Sequence, residues 1–275
     1  MPCLSEFLIL LRNKLLKYKS RNKLSLIKTE SQIEKIRQSG KILGSVLREL
    51  KDFAKPGVTL LELDKLAYNL IKEKGGKPAF LGYKPGGASK KFPYTLCASV
   101  NDTIVHGLPS AYKLVSGDVL KLDLGVDFHG GITDAAVTVP IGKVPKNALS
   151  LIKITKDALA EAIRVVKDGH TLGDIGHAVQ RTVERANFKV IEGLTGHGVG
   201  NELHEDPVIY NYGKPGKGLP LRAGMVIAIE PMTSLSTKRA VQLSDDSFVT
   251  ADGSLSAHFE HTMLVTVSGA EVLTE

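Results

Sequence analysis

One nine-residue pattern occurs twice in this chain, and it constrains the fold more than any other feature. Lys55-Pro-Gly57-Val-Thr59-Leu60-Leu-Glu62-Leu63 aligns with Lys167-Asp-Gly169-His-Thr171-Leu172-Gly-Asp174-Ile175 at a constant offset of 112 residues. In each copy a glycine turn ends one helix, and a threonine with an acid three residues later caps the next. Junctions of this kind are common between helices, so the letters alone do not establish a duplication. The surrounding order of elements argues for one. A helix opens at Thr29, carries Ile33, Ile36, Ile42, Leu43, Val46, Leu47 and Leu50 at helical spacing, and stops at Pro56-Gly57. A second runs from Thr59 to Gly75-Gly76, a Gly/Pro/Lys loop fills 82–93, and β-rich runs follow at 94–100, 119–126 and 132–141. The order then repeats: Asn147 to Lys167 reads as a helix, Thr171 to about Asn187 as another, with strands expected at 188–194, 225–230, 239–243 and 258–267. The sequence therefore predicts two pseudo-equivalent α+β halves, 29–145 and 146–275, sharing one core, with any site between them drawing ligands from both.

The chain of 275 residues is long enough for a sizeable core, and 43% apolar with 24% charged residues excludes a disordered or fibrous protein. A net charge of +7 invites a polyanion partner, but the charge is unevenly placed. Residues 1–28 hold Arg12, Lys14, Lys17, Lys19, Arg21, Lys23 and Lys28 against Glu6, a net +6 that leaves +1 for the remaining 247 residues. The folded body is nearly neutral, which weakens a basic binding face and argues against DNA as a partner. The apolar run Phe7 to Leu11 is shorter than the ~7–15 residues of a signal-peptide core, and no run of ~18 apolar residues suggests a membrane span. Leu4, Phe7, Leu8, Leu11, Leu15 and Leu16 fit a basic amphipathic helix over 4–19; a frayed or mis-started N-terminus fits equally well. Two cysteines, Cys3 and Cys97, make no disulfide framework and point to an intracellular protein.

Chemistry enters with acids in apolar strands. In Val119-Leu-Lys-Leu-Asp123-Leu-Gly-Val126, period two sets Leu120, Leu122 and Leu124 on one face and Asp123 on the other; in Ile132-Thr-Asp134-Ala-Ala, Asp134 shares a face with Ala136. A hairpin centred between Phe128 and His129 would place Asp123 directly opposite Asp134. Facing carboxylates in a half-buried sheet repel, so they must share a proton or bind a cation. The alternative is a slipped register with both acids in water. Glu230, at the end of Met225-Val-Ile-Ala-Ile-Glu230, and Glu260, within Ala257 to Val267, pose the same problem, and few basic residues lie beside them. Gly196-His197-Gly198-Val199-Gly200 adds an imidazole among residues that allow close backbone approach, with His204 and His106 elsewhere. Carboxylate-rich ligation with one imidazole suits Mn, Fe, Co or Zn ions, and a bridged pair suits hydrolysis. His-Glu-x-x-His, Cys-x-x-Cys, Gly-x-Ser-x-Gly and dinucleotide fingerprints are all absent.

Five blocks in order carry a family resemblance: Ser99-Val-Asn101-x4-His106-Gly, Leu122-Asp123-Leu-Gly-x7-Thr133-Asp134, Thr195-Gly-His-Gly-Val-Gly200-x3-His204-Glu-Asp-Pro207, Ile229-Glu-Pro231-Met and Ser256-Ala-x2-Glu260-His-Thr. Over residues 29–275 the chain resembles type I methionine aminopeptidases. The resemblance implies the α/β (α+β) pita-bread fold. It implies a centre of two divalent ions, Co, Mn, Fe or Zn, held by Asp123, Asp134, His197, Glu230 and Glu260, with Asp134 and Glu260 bridging. His106 and His204 would contact the substrate, His204 beside the scissile carbonyl, and Glu230 would move protons. The methionine pocket would be walled by Phe80, Tyr83, Phe92, Cys97 and Leu203. The expected activity is removal of the initiator methionine from nascent chains with a small second residue, by a cytoplasmic monomer. The basic tail lies outside the resemblance and is a candidate for transient contact with ribosomal RNA.

Some residues depart from the pattern. There is no tryptophan where many relatives place one, near Asp245-Asp-Ser-Phe248; Leu203 replaces a common aromatic; the loop Lys84 to Lys91 is long; His258 stands at a Gln-like position on the face of Glu260. Cys97 has no adjacent base and reads as a pocket wall, His129, His170 and His177 as turn or helix-end residues, and His261 as pointing away from Glu260. Two rival readings are an X-Pro hydrolase of the same fold, which usually carries an extra N-terminal domain, and a non-catalytic interaction protein, against which the five intact ligand positions argue.

Overall fold

The computed structural model describes residues 26–84 and 90–275. The helix expected over 4–19 and the centre of the Lys84–Lys91 loop lie outside the described residues. The first helix, α1, spans Glu30–Phe53 and α2 spans Leu60–Glu73; α3 spans Lys146–Val165 and α4 Leu172–Arg185. Their starts are set as the sequence predicts. Thr29 and Gln32 form a capping box on α1, and Thr59 N–H donates to Glu62 at 2.7 Å on α2. On α4 the Thr171 N–H donates to Asp174 at 2.7 Å.

Two main sheets follow the two halves. In the first, β4 (Val119–Phe128) pairs with β5 (Gly131–Pro140) along one edge, and with β1 (Lys77–Pro78) and β2 (Cys97–Val100) along the other. In the second, the order is β15 (Ala270–Val272), β14 (His261–Val265), β9 (Val226–Ile229), β7 (Thr195–Gly198) and β8 (Glu205–Tyr210). Two smaller sheets join them: β13 (Ser256–His258), β10 (Met232–Ser234), β6 (Lys189–Val190), and β11 (Ala240–Gln242), β12 (Phe248–Thr250), β3 (Thr103–Val105). The expected strand over 188–194 shrinks to Lys189–Val190. The run expected over 258–267 is cut in two, because Glu260 leaves the strand to bridge Ala136.

The repeated junctions make corresponding backbone contacts. Gly57 and Gly169 both hold left-handed φ values, +95° and +85°, which their missing Cβ makes inexpensive. Gly57 N–H donates to the Leu114 carbonyl at 2.8 Å and Gly169 N–H to Leu221 at 3.0 Å; Thr59 bridges Lys113 and Thr171 bridges Pro220. Each half thus pins its helix–helix corner onto its own later chain.

Three apolar clusters cement the frame. Leu43, Leu47 and Leu50 of α1 and Leu63 and Ile71 of α2 pack on Leu120, Leu122 and Leu124 of β4. Ile175, Val179 and Val183 of α4 pack with Leu159 of α3 on Ile227, Ile229 and Met263. Ile33 and Ile36 of α1 cover Val226, Ala228 and Leu264 on the other face of the second sheet. Each fully buried Leu or Ile contributes about 1.5–3 kcal/mol, so α1 fastens both sheets to one another. Ile27 and Lys28, counted with the tail in the sequence, belong to this body: Ile27 bridges Met225, and the buried Lys28 ammonium pairs with Glu205.

Candidate metal centre and active site

The β4–β5 hairpin places the first two acids, with one change from expectation. Phe128 pairs with Gly131, so the turn is the two residues His129 and Gly130, both at positive φ (+52° and +83°). That is the primed turn favoured between twisted strands, and a turn centred one residue earlier would have forced Phe128 into the left-handed region. Asp123 therefore faces Ala136, and Asp134 faces Gly125. The two aspartates are diagonal neighbours and not directly opposite. The shift is by two residues, an even number, so both stay on one face, and both are buried. Gly125, across from Asp134, lets Phe80 and Ala79 close in where a Cβ would stand.

The second half supplies the rest. His197 lies on β7, Glu230 follows β9, and Glu260 lies between β13 and β14. Glu260 N–H donates to the Ala136 carbonyl at 2.9 Å, and the Thr262 hydroxyl donates to the Asp134 carbonyl at 2.7 Å. These bonds stitch the second sheet to β5 beside the carboxylates. His197 Nδ1 lies 2.9 Å from the Gly198 carbonyl. A carbonyl only accepts, so the ring proton sits on Nδ1 and the Nε2 lone pair is free. Nε2 is 3.5 Å from Glu230 Oε1 and 3.9 Å from Asp134 Oδ2. Burial holds the His197 pKa down to about 4, which keeps the imidazole neutral.

Ligand atoms from Asp123, Asp134 and Glu260 lie within 4.8 Å of one another, as do those of His197, Glu230 and Glu260 and those of Asp134, His197 and His204. Asp123 Oδ1, Asp134 Oδ1 and Glu260 Oε1 are buried without a hydrogen-bond partner among the described residues. Burial first, and the neighbouring negative charges second, raise the pKa values of Asp123, Glu230 and Glu260; burial raises that of Asp134. Four acids that resist ionisation together, with orphaned oxygens and a free imidazole lone pair, are the donor set a pair of divalent ions would satisfy.

A cleft of about 1130 Å³ opens over this cluster. Phe80, Tyr83, Phe92, Cys97 and Leu203 form an apolar wall, and His106 and His204 flank the carboxylates. Phe80 meets Phe92 edge to face at 6.3 Å. The Tyr83 hydroxyl bonds His204 Nδ1 at 2.8 Å, and His204 stands edge-on to His197 at 4.4 Å. Crowding in the cleft, then the adjacent His197 and His106 imidazoles, holds the His204 pKa low although one side meets solvent. His106 has a left-handed φ of +59° and packs against Phe248. Cys97 is a buried thiol whose pKa is raised by burial and then by Asp123, so it is a pocket wall and not a nucleophile. His258 Nε2 lies 3.7 Å from Glu230 and 3.9 Å from Glu260, whereas His261 bonds Thr274 at 2.9 Å, away from the cluster. Sequence reasoning missed Leu26, Val105 and Met232 on the cleft walls, and the buried Lys121 beside it. Period two from Asp123 already placed Lys121 on the ligand face.

The model of metallopeptidase family M24 matches residues 34–267. The chain belongs to that family. A methionine aminopeptidase of Clostridium acetobutylicum is 42% identical over 251 residues, covering 90% of this chain and 98% of that protein. One from Aquifex aeolicus is 44% identical over 251 residues, covering 90% and 97%. The crystal structure of a methionine aminopeptidase from Thermotoga maritima shares 45% identity at a TM-score of 0.86, covering 90% of this chain and 98% of that one. A prolidase from Pyrococcus horikoshii, 22% identical at a TM-score of 0.73 over 92% of this chain and 65% of its own, shares the fold alone. This M24 chain is a metal-dependent hydrolase with the pita-bread fold.

Proposed function

We propose that this chain is a methionyl aminopeptidase that removes the initiator methionine from nascent polypeptides bearing a small second residue. The observation that carries the reading is the convergence of unpaired buried carboxylate oxygens and the His197 Nε2 lone pair under an apolar wall. Asp123, Asp134, His197, Glu230 and Glu260 would hold two divalent ions of the Mn, Fe, Co or Zn type, Asp134 and Glu260 lying centrally enough to serve both. Ions bound there supply Lewis acidity toward the scissile carbonyl and lower the pKa of an attacking water.

The chain's own groups do the rest. Phe80, Tyr83, Phe92, Cys97 and Leu203 enclose the thioether side chain and exclude water. Glu230, buried beside His197 and His258, accepts the proton of the attacking water and returns it to the leaving amine. His204, oriented by Tyr83, donates a hydrogen bond to the developing oxyanion, and His106 on the opposite wall holds the peptide. The chain acts as a cytoplasmic monomer, and the basic residues 1–25 contact ribosomal RNA transiently. No described helix is long and apolar enough to cross a membrane.

The test is methionine release from Met-Ala-Ser. Chelation should abolish it and Mn, Fe or Co should restore it; Glu230→Ala should lower kcat by about 10²-fold or more. Release that survives both chelation and Glu230→Ala, or a preference for X-Pro peptides, would refute the reading. Loss of salt-dependent ribosome binding on deleting residues 1–24 is expected, and unchanged binding would remove the RNA contact.

A further inference from the structure

Lys121 is fully buried, lies two residues from Asp123 on the same face of β4, and takes no part in the chemistry described above. Its side chain runs between Ser99 on β2 and Thr138 on β5, its cross-strand partners. The ammonium has three protons and meets three main-chain carbonyls: Asn101 at 2.7 Å, Val119 at 3.4 Å and Ser256 at 3.5 Å. No carboxylate among the described residues hydrogen-bonds it, although Asp102 and Asp118 act on it through space. Asp118 is taken by Asn101 Nδ2 at 3.0 Å, the Tyr112 hydroxyl at 3.0 Å and Val115 N–H at 2.9 Å. A cation whose hydrogen bonds in the interior all go to main-chain carbonyls is a poor way to fill space, since an apolar side chain of the same length avoids the desolvation.

The three carbonyls belong to three separate pieces of the cleft. Asn101 sits at a left-handed φ of +54° in the turn between β2 and β3. From it the chain runs through β3 to His106. Val119 begins β4, which carries Asp123. Ser256 begins β13, which leads through His258 to Glu260. The Asn101 carbonyl also accepts from Ser256 N–H and the Ser256 hydroxyl, each at 3.0 Å, and that hydroxyl reaches the Thr103 carbonyl at 3.1 Å. Lys121 is thus the one side chain among the described residues whose terminal atom bonds β4, β13 and the β2–β3 turn together.

We infer that Lys121 is a positioning residue: its ammonium clamps the Asn101 turn to β4 and β13, and so fixes His106 at its distance from the carboxylate cluster. A clamp explains the charge. The direction of three carbonyls toward one point locks strand positions, which a methionine of equal length cannot do. The catalytic consequence rests on the aminopeptidase reading, because it passes through His106.

The experiment uses the full chain reconstituted with Mn and four variants: Lys121→Met, His106→Ala, their double, and Ser256→Ala. Hydrogen exchange over Thr103–Val105 reads the clamp without reference to activity, and should accelerate about tenfold or more in Lys121→Met. Lys121→Met should keep the wild-type metal stoichiometry by calorimetry, lower kcat for Met-Ala-Ser about tenfold, and change KM little. The double variant should be no worse than His106→Ala by more than about twofold, the non-additivity of residues acting through one another. Ser256→Ala removes a neutral part of the clamp and should show the same exchange pattern more weakly, which decides the matter if Lys121→Met does not fold. Unchanged exchange over Thr103–Val105 in the folded variants, or a kcat loss fully additive with His106→Ala, would overturn the proposal. A wild-type chain inactive on Met-Ala-Ser would overturn the aminopeptidase reading instead, with exchange still deciding the clamp.

Discussion

Binding of divalent metal to this protein at neutral pH should release protons, and removal of the metal should make stability fall as pH rises. In the metal-free protein Asp123, Asp134, Glu230 and Glu260 all have raised pKa values, through burial and, for all but Asp134, neighbouring charge. Their unfolded values are the ordinary 3.8 and 4.5, so above pH 5 these four groups hold more protons folded than unfolded, a contribution that makes stability decline with pH. Histidines oppose this at low pH: His106, His197, His204, His258 and His261 are all lowered by burial and stay neutral in the fold while the unfolded chain protonates near and below 6.5. That opposition fades between pH 6.5 and 7.5. Lys121, lowered to about 7, then offsets about one proton, because the unfolded chain keeps its ammonium charged. Three carboxyls raised well above their ordinary values, against one lowered amine, leave the fold with an excess of protons above neutrality. Each net proton changes stability by ~1.4 kcal/mol per pH unit, so stability should fall between pH 7.5 and 8.5. At ~2–4 °C per kcal/mol for a protein of this size, each net proton lowers Tm by ~3–6 °C over that pH unit. Scanning calorimetry of chelator-treated protein reads this directly, and added Mn should flatten or reverse the slope. Titration calorimetry in two buffers of different ionisation enthalpy counts the protons released, expected to be at least one per chain at pH 7. A metal-free Tm that is flat or rising over this window, together with no proton release, would refute the picture of a strained carboxylate cluster.

Three further outcomes follow from particular contacts. In Gly125→Ala the new Cβ would lie 2.9 Å from the Phe80 ring and 3.1 Å from Ala79, so about 1–3 kcal/mol of stability should be lost and KM for Met peptides should rise as Phe80 shifts. Thr262→Val removes the hydroxyl that bonds both Asp134 N–H (2.9 Å) and Asp134 carbonyl (2.7 Å); denaturation should show ~1–3 kcal/mol lost, and calorimetry weaker metal binding. Lys28→Met leaves Glu205, which also accepts the Asn201 and Glu202 N–H groups at 2.6 and 2.8 Å, without its cation. Stability should drop by ~1–3 kcal/mol, and proteolysis between Asn201 and Asp206 should quicken.

Much of the frame was legible because it rests on local rules. The two capped junctions, the helical stripe of α1 and the period-two alternation of β4 each follow from residues within a few positions of one another. The hairpin register was not, because it depended on which residue would accept a left-handed φ, and His129 did so where Phe128 would not. The break at Glu260 was invisible locally: it is imposed by a bond to Ala136, more than a hundred residues away in sequence. Lys121 went unread for a similar reason. Its acceptors are carbonyls of Asn101, Val119 and Ser256, groups every residue possesses and no letter announces. The acids stood out because an ionisable group in an apolar strand is costly, while a main-chain cage leaves no compositional trace.

The hairpin of β4 and β5 contributes Asp123 and Asp134, and the later half contributes His197, Glu230 and Glu260. Neither half owns a complete set of donors. The exposed stretch between them, Gly142 to Asn147, is the natural place to cut the chain. Two polypeptides severed there would each be silent, and metal would reward only their reunion. The molecule therefore lends itself to use as a complementation reporter, in which ion occupancy signals that two separately expressed pieces have met.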